Sequence, residues 1–132
     1  MTPVASPLTT DLYELNMIQA YLDRGEDKEA VFEFFVRRLP PRRGFLLAAG
    51  LEDALDYLET LRFSDTEIAW LKSTGRFRDN LLDYLKAFRF GGDVHAIPEG
   101  SVCFPHEPLI RITAPLPQAQ RVESRLITIL HY

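Results

Sequence analysis

The sequence predicts an α+β fold, and three observations carry that prediction. Apolar residues near the N-terminus recur at spacings of three and four, the helical period, whereas after Gly91-Gly92 they recur at two, the period of a strand. The predicted strands fall into two groups separated by a block of helices. Such grouping favours α+β over a doubly wound α/β sheet, in which strands and helices alternate. The chain has 132 residues, 46% of them hydrophobic and 26% charged, which suits one globular core and excludes a chain too polar to fold. One domain over residues 1–132 is therefore expected.

The elements follow in order. Leu8, Leu12, Leu15, Ile18 and Leu22 lay an apolar face along a first helix. It is predicted to begin at Thr10 or Asp11 and to stop at Gly25, a residue suited to the left-handed position after a helix end. Asp11 would then be the N-cap, with Glu14 three residues on. Tyr13 lies off the apolar stripe and is expected to be partly exposed, where its ring offers a flat face to another planar ring. Residues 31–36 are aromatic and β-branched, with Phe32, Phe34 and Val36 on one side, and read as a strand. Pro40-Pro41 ends it. Residues 44–48 give a second, shorter strand that leads into a helix over 51–61.

Ser64-Asp65-Thr66-Glu67 fits a capping box, with Phe63 and Ile68 placed to form a hydrophobic staple. This helix is predicted to end at Gly75. The next, over 79–88, presents Leu81, Leu82, Leu85 and Phe88. Three short strands are predicted at 94–97, 102–104 and 109–113, separated by Pro-containing turns. In the last of them Ile110 and Ile112 face one way, Arg111 and Thr113 the other. Pro117 suits the first turn of a final helix. Val122, Leu126 and Ile129 form its stripe, and Ile127 and Leu130 widen it to an arc that needs cover from more than one side. No stop signal precedes His131 and Tyr132, so the chain is expected to end inside a hydrophobic connection.

Chemistry is sparse. The net charge, 15 − 19 = −4, argues against a broad nucleic-acid surface. Cys103 is the single cysteine, which excludes an intrachain disulfide and fits a reducing compartment. The N-terminus lacks a secretory pattern and no run is long enough to span a membrane, so a cytoplasmic location is expected. No glycine-rich phosphate loop joins a strand to a helix. The histidines, His95, His106 and His131, lack short ligand spacing. A cluster of His95, Cys103 and His106 across adjacent strands is the one conceivable metal site, set against the simpler reading of Cys103 as a small core side chain. Ser101 and Cys103 lie in an extended segment without a nucleophile elbow. Arg37, Arg38, Arg42 and Arg43 bracket Pro40-Pro41, and such a run reads as a solvated loop, a subunit contact or a phosphate site.

Several stretches together resemble one family. Thr10-Asp11-Leu12-Tyr13-Glu14-Leu15-Asn16-Met17 is similar to the N-terminal signature of nicotinate phosphoribosyltransferases. Ala30 to Arg37, Phe45 to Leu55 with Ala49-Gly50-Leu51-Glu52, Ala96 to Pro105, Pro108 to Arg111, and Val122-Glu123-Ser124 to Tyr132 resemble later parts of the same family, in the same order. The resemblance implies the α/β-hammerhead N-terminal domain of type II phosphoribosyltransferases. It implies an enzyme that couples nicotinate to phosphoribosyl pyrophosphate, forming nicotinate mononucleotide and pyrophosphate with the help of ATP hydrolysis, while magnesium accompanies the pyrophosphate substrate. This is a step in making NAD from a salvaged pyridine.

In that family the phosphate-binding groups and a histidine phosphorylated by ATP belong to a barrel that follows this region. The expectation is therefore an N-terminal domain whose last helix leads into an α/β barrel. Alone it would be inactive and bind no cofactor itself. Residue by residue, Tyr13 matches the tyrosine that stacks on the pyridine ring and reaches the active site of the neighbouring subunit of a homodimer. Asp11 matches the acidic residue beside it, which helps to order the same site. The four arginines are not assigned to phosphate. A competing expectation, motivated by the wide apolar arc of the last helix, is a binding or assembly module that pairs with a separate barrel chain or partner protein.

Overall fold

The structure is a computed structural model that describes residues 6–130. The elements come in the predicted order: α1 (Leu12–Arg24), β1 (Glu29–Phe34), β2 (Leu46–Leu47), α2 (Leu51–Thr60), α3 (Asp65–Ser73), α4 (Asp79–Lys86), β3 (Asp93–Ala96), β4 (Val102–Cys103), β5 (Ile110–Pro115) and α5 (Leu116–Leu130).

Local signals set most of the boundaries. Gly25 closes α1 at φ 67°, with its N–H bonded to the Leu22 carbonyl, and a left-handed residue here costs glycine nothing. Ser64 and Glu67 form the reciprocal capping box at the start of α3. The cap residues of α1, α2 and α4 make no side-chain cap bond of their own, and α2, which starts after Gly50, is capped from another part of the chain. Leu81, Leu82, Leu85 and Phe88 are all buried, as their spacing requires.

β5 is the central strand of an antiparallel sheet of order β1-β5-β3. Its pattern alternates strictly, with Ile110, Ile112 and Ala114 buried and Arg111 exposed. Phe32 lies opposite Ile112 and Phe34 opposite Ile110, so β1 and β5 present one apolar face. The pairing also moves β1 two residues earlier than residues 31–36, because Glu29 and Ala30 find ladder partners in Pro115 and Ala114. The Val36 carbonyl accepts the His106 N–H. β2 and β4 form a separate two-stranded ribbon.

α5 follows β5 without a loop and packs against α1, α2, β1 and β5. The arc predicted to need several-sided cover is thus covered within the domain: Val122 and Leu126 are buried, Ile129 and Leu130 pack on the core, and only Ile127 is substantially exposed. α3 and α4 pack together, and α4 also packs on α1.

Two expectations need correction. Leu12, counted in the stripe of α1, is 47% exposed, and the position that turns fully inward is Glu14. The reason is a buried partner on α5, described next. Gly92, read as part of a simple break, is a point of close approach. A Cβ there would lie 2.5 Å from the Ala114 Cβ and from the Thr113 carbonyl oxygen, so only glycine lets the chain enter β3 so close beside β5.

Candidate functional site

The N-terminal turn of α1 lies against the middle of α5, and its polar side chains converge there. Asp11 occupies the N-cap position with extended backbone, yet its side chain caps nothing. Its carboxylate Oδ2 instead accepts the Ser124 hydroxyl at 2.7 Å. The Tyr13 hydroxyl lies 3.5 Å from the same Ser124 Oγ. Glu14 does not close a capping box. Its Oε1 accepts the backbone N–H of Ser124 at 2.6 Å, and its Oε2 accepts the Thr10 hydroxyl.

Beneath this polar knot is a buried charge pair. Arg121, one turn before Ser124, is fully buried, and its guanidinium lies 3.5 Å from Glu14 Oε2. It also donates to the Pro7 carbonyl and to the Tyr57 hydroxyl, and stands 5.1 Å above the Phe63 ring. An arginine can be held in such a place because its charge meets a carboxylate, a carbonyl and an aromatic face at once. Burial pushes the Glu14 carboxyl above the usual range, while the bonds from Thr10 and Ser124 and the Arg121 charge pull it part of the way back. Burial likewise raises the Tyr13 phenol; the Ser124 bond opposes that, and Glu123 reinforces it.

Tyr13 is therefore placed by its helix, with its hydroxyl beside Ser124, while the residue remains 44% exposed. The arrangement can offer a fixed aromatic face to a planar ligand. Of the residues singled out from sequence, Asp11 and Tyr13 are brought together, through Ser124. Ser124, Glu14 and Arg121 escaped attention as site residues because the contacts that give them meaning join positions about a hundred residues apart, and nothing local marks them.

The remaining candidates lie elsewhere. Arg37, Arg38, Arg42 and Arg43 are all exposed, and Arg38 and Arg43 border a cleft of about 330 Å³ lined by Phe34, Leu46, Ile97 and Leu130. Glu99, on the rim of this cleft, accepts the N–H groups of Gly50 and Leu51 at 2.9 Å each and so caps α2 from 48 residues away. Cys103 is buried, with its thiol 3.4 Å from the Leu46 carbonyl and pushed up by burial, as the core reading requires. His95 and His106 are exposed, and among the described residues no group of three or more His, Cys, Asp or Glu could hold a metal ion. His131 lies outside the described residues. No helix among them is long and apolar enough to cross a membrane.

Fold and site together define an α+β domain that presents an anchored aromatic ring and, among its described residues, no metal cluster. Comparison with known proteins narrows the class. Residues 8–131 match the family model of the nicotinate phosphoribosyltransferase N-terminal domain. A nicotinate phosphoribosyltransferase of Mycobacterium tuberculosis is 45% identical over 124 residues, covering 94% of this chain and 27% of that protein. The Bacillus subtilis nicotinate phosphoribosyltransferase is 39% identical over 126 residues, covering 95% and 26%. The crystal structure of human nicotinic acid phosphoribosyltransferase superimposes with a TM-score of 0.83 at 34% identity, covering 92% of this chain and 25% of that one. The chain belongs to the nicotinate phosphoribosyltransferase family and corresponds to its N-terminal domain. It spans about a quarter of the length of the curated relatives it matches.

Proposed function

We propose that this domain serves an enzyme that joins nicotinate to phosphoribosyl pyrophosphate, releasing pyrophosphate and forming nicotinate mononucleotide, with ATP hydrolysis favouring product. In this reading residues 1–132 are the N-terminal domain, and the last helix leads into the barrel that binds the phosphates. Tyr13 stacks on the pyridine ring of nicotinate, in the active site of the neighbouring subunit of a homodimer, and Asp11 orders that site. The enzyme works in the cytoplasm, in the salvage of pyridine for NAD.

One observation carries the reading: an aromatic ring that is held by its hydroxyl and yet remains exposed, on the segment that resembles the family signature. The chemistry of the domain fits a supporting part. Departing pyrophosphate needs cations and backbone donors around it, and in this reading the barrel supplies them. The assembly-module reading drew on an uncovered arc of α5, and α1, α2 and the sheet cover that arc.

The test is turnover and binding. The 132-residue chain should leave nicotinate and phosphoribosyl pyrophosphate unconsumed, while a protein carrying the domain at the length of its relatives converts them. In that longer protein Tyr13→Ala should weaken nicotinate binding, since stacking on an aromatic side chain is worth about 1–3 kcal/mol per base in nucleic-acid complexes. Turnover by the 132-residue chain, or an unchanged KM for nicotinate in Tyr13→Ala, would overturn the reading.

A further inference from the structure

We propose that Ser124 is a positioning residue for the aromatic platform, holding Tyr13 in the orientation in which its exposed ring receives the planar substrate. The proposal rests on the stacking reading above and extends it to a residue on a different helix.

The direction of the hydrogen bonds makes the case. A serine hydroxyl has one proton to give and lone pairs to receive. Asp11 Oδ2, at 2.7 Å, is an acceptor and takes the Ser124 proton. What Ser124 Oγ has left for Tyr13 is a lone pair, so the phenol donates, over 3.5 Å. That distance is at the outer edge of hydrogen bonding, so the contact acts on the direction of the ring more than on the stability of the fold. Burial raises the phenol's pKa, the Ser124 contact opposes that, and Glu123 and Glu14 add to the rise.

Ser124 is itself fixed from below. Its backbone N–H is held by Glu14, and Glu14 by the buried Arg121 one turn earlier on the same helix. The order of support therefore runs from the charge pair to Ser124, and from Ser124 to both Asp11 and Tyr13. A tyrosine ring has two side-chain torsions. With its Cα in α1 and its hydroxyl beside Ser124, the direction of the ring axis is set, and less ordering is left to do when a ligand stacks on the ring. Without the anchor, only the fraction of molecules with the ring in place is competent to bind, and apparent affinity falls by that fraction.

The experiment measures KM for nicotinate and kcat in a protein that carries this domain at the length of its relatives. Ser124→Ala and Tyr13→Phe should each raise KM by about two- to threefold, the worth of a weak hydrogen bond, with kcat and the KM for phosphoribosyl pyrophosphate moving less. Because Tyr13→Phe breaks only a contact that Ser124→Ala also breaks, the double variant should be no worse than Ser124→Ala alone. Ser124→Thr, which restores the hydroxyl, should restore KM. Tyr13→Phe keeps every contact of Ser124 with Asp11 and Glu14, so it carries the test even if Ser124→Ala folds poorly. Unchanged KM in Ser124→Ala and Tyr13→Phe, or effects that simply add, would overturn the positioning role. Those results beside a raised KM in Tyr13→Ala would leave stacking intact, whereas an unchanged KM in Tyr13→Ala as well would remove the stacking reading itself.

Discussion

The junction of α1 with α5 and the ribbon of β2 and β4 lie on two sides of the last helix, the first in contact with it through Arg121 and Ser124, the second facing it across the cleft bordered by Leu130. They are built by opposite means. The junction buries a charge pair and spends its polar groups inside the protein, leaving one aromatic ring outside. The ribbon has two ladder pairs and turns Phe45, Leu47, Val102 and Phe104 outward, each at least 50% exposed, while Cys103 goes in. A buried ion pair adds little net stability over a well-packed apolar pair, yet it penalises any arrangement that separates its partners. The junction is therefore demanding about geometry, and the outer face of the ribbon is not.

The largest expected effect breaks the junction. Glu14→Ala or Arg121→Met alone should cost about 3–5 kcal/mol in urea unfolding, because each strands one buried charge. Glu14→Leu with Arg121→Met should recover most of that loss. If the double variant were as unstable as the single ones, the pair would matter for more than its own charge balance. Next comes the seam between the ribbon and α2. Glu99→Ala removes the acceptor for two N–H groups at a helix start and should cost about 1–2 kcal/mol, read as a lowered Tm. Glu99→Gln, which keeps one carbonyl oxygen, should cost less.

A further effect is confined to high pH. Burial pushes the Tyr84 hydroxyl from 10.0 up to about 12. Its folded form thus holds the proton longer than the unfolded chain does, so the contribution is complete below pH 10 and is lost as pH rises toward 12. Tyr84→Phe should flatten that part of the stability profile, and an unchanged profile would remove Tyr84 as its cause. The smallest effect belongs to the ribbon's outer face. Leu47→Thr and Phe104→Ser should each stay within about 0.5 kcal/mol of the parent in denaturant unfolding. A larger loss would mean that the face is packed in solution and that the contrast with the junction is overstated.

Most of the fold could be read from local pattern. The capping box at Ser64 and Glu67, the stop at Gly25 and the alternation of Ile110 and Ile112 each act within a few residues, and each appears where expected. The partial exposure of Tyr13 was also legible, because it sits off the apolar stripe of α1. Where strand β1 begins was not, since its first two residues are ordered by a partner eighty-odd positions away. Nor was the inward turn of Glu14. A glutamate three residues after an N-cap looks like half of a capping box, and only the arrival of Arg121 makes burial a better place for it.

By itself, then, the sequence determined the order and type of the elements, the class of the fold and the position of one exposed aromatic ring. Those depend on short-range periodicity and on the backbone preferences of Gly, Pro and Ser. The tertiary structure alone decided what Asp11, Glu14, Arg121 and Ser124 do, how Glu99 caps α2 and why Gly92 must lack a side chain. The charge, hydrogen-bond partner or neighbour that assigns each of those roles comes from another part of the chain, and a polar group's worth depends on what meets it once water is gone.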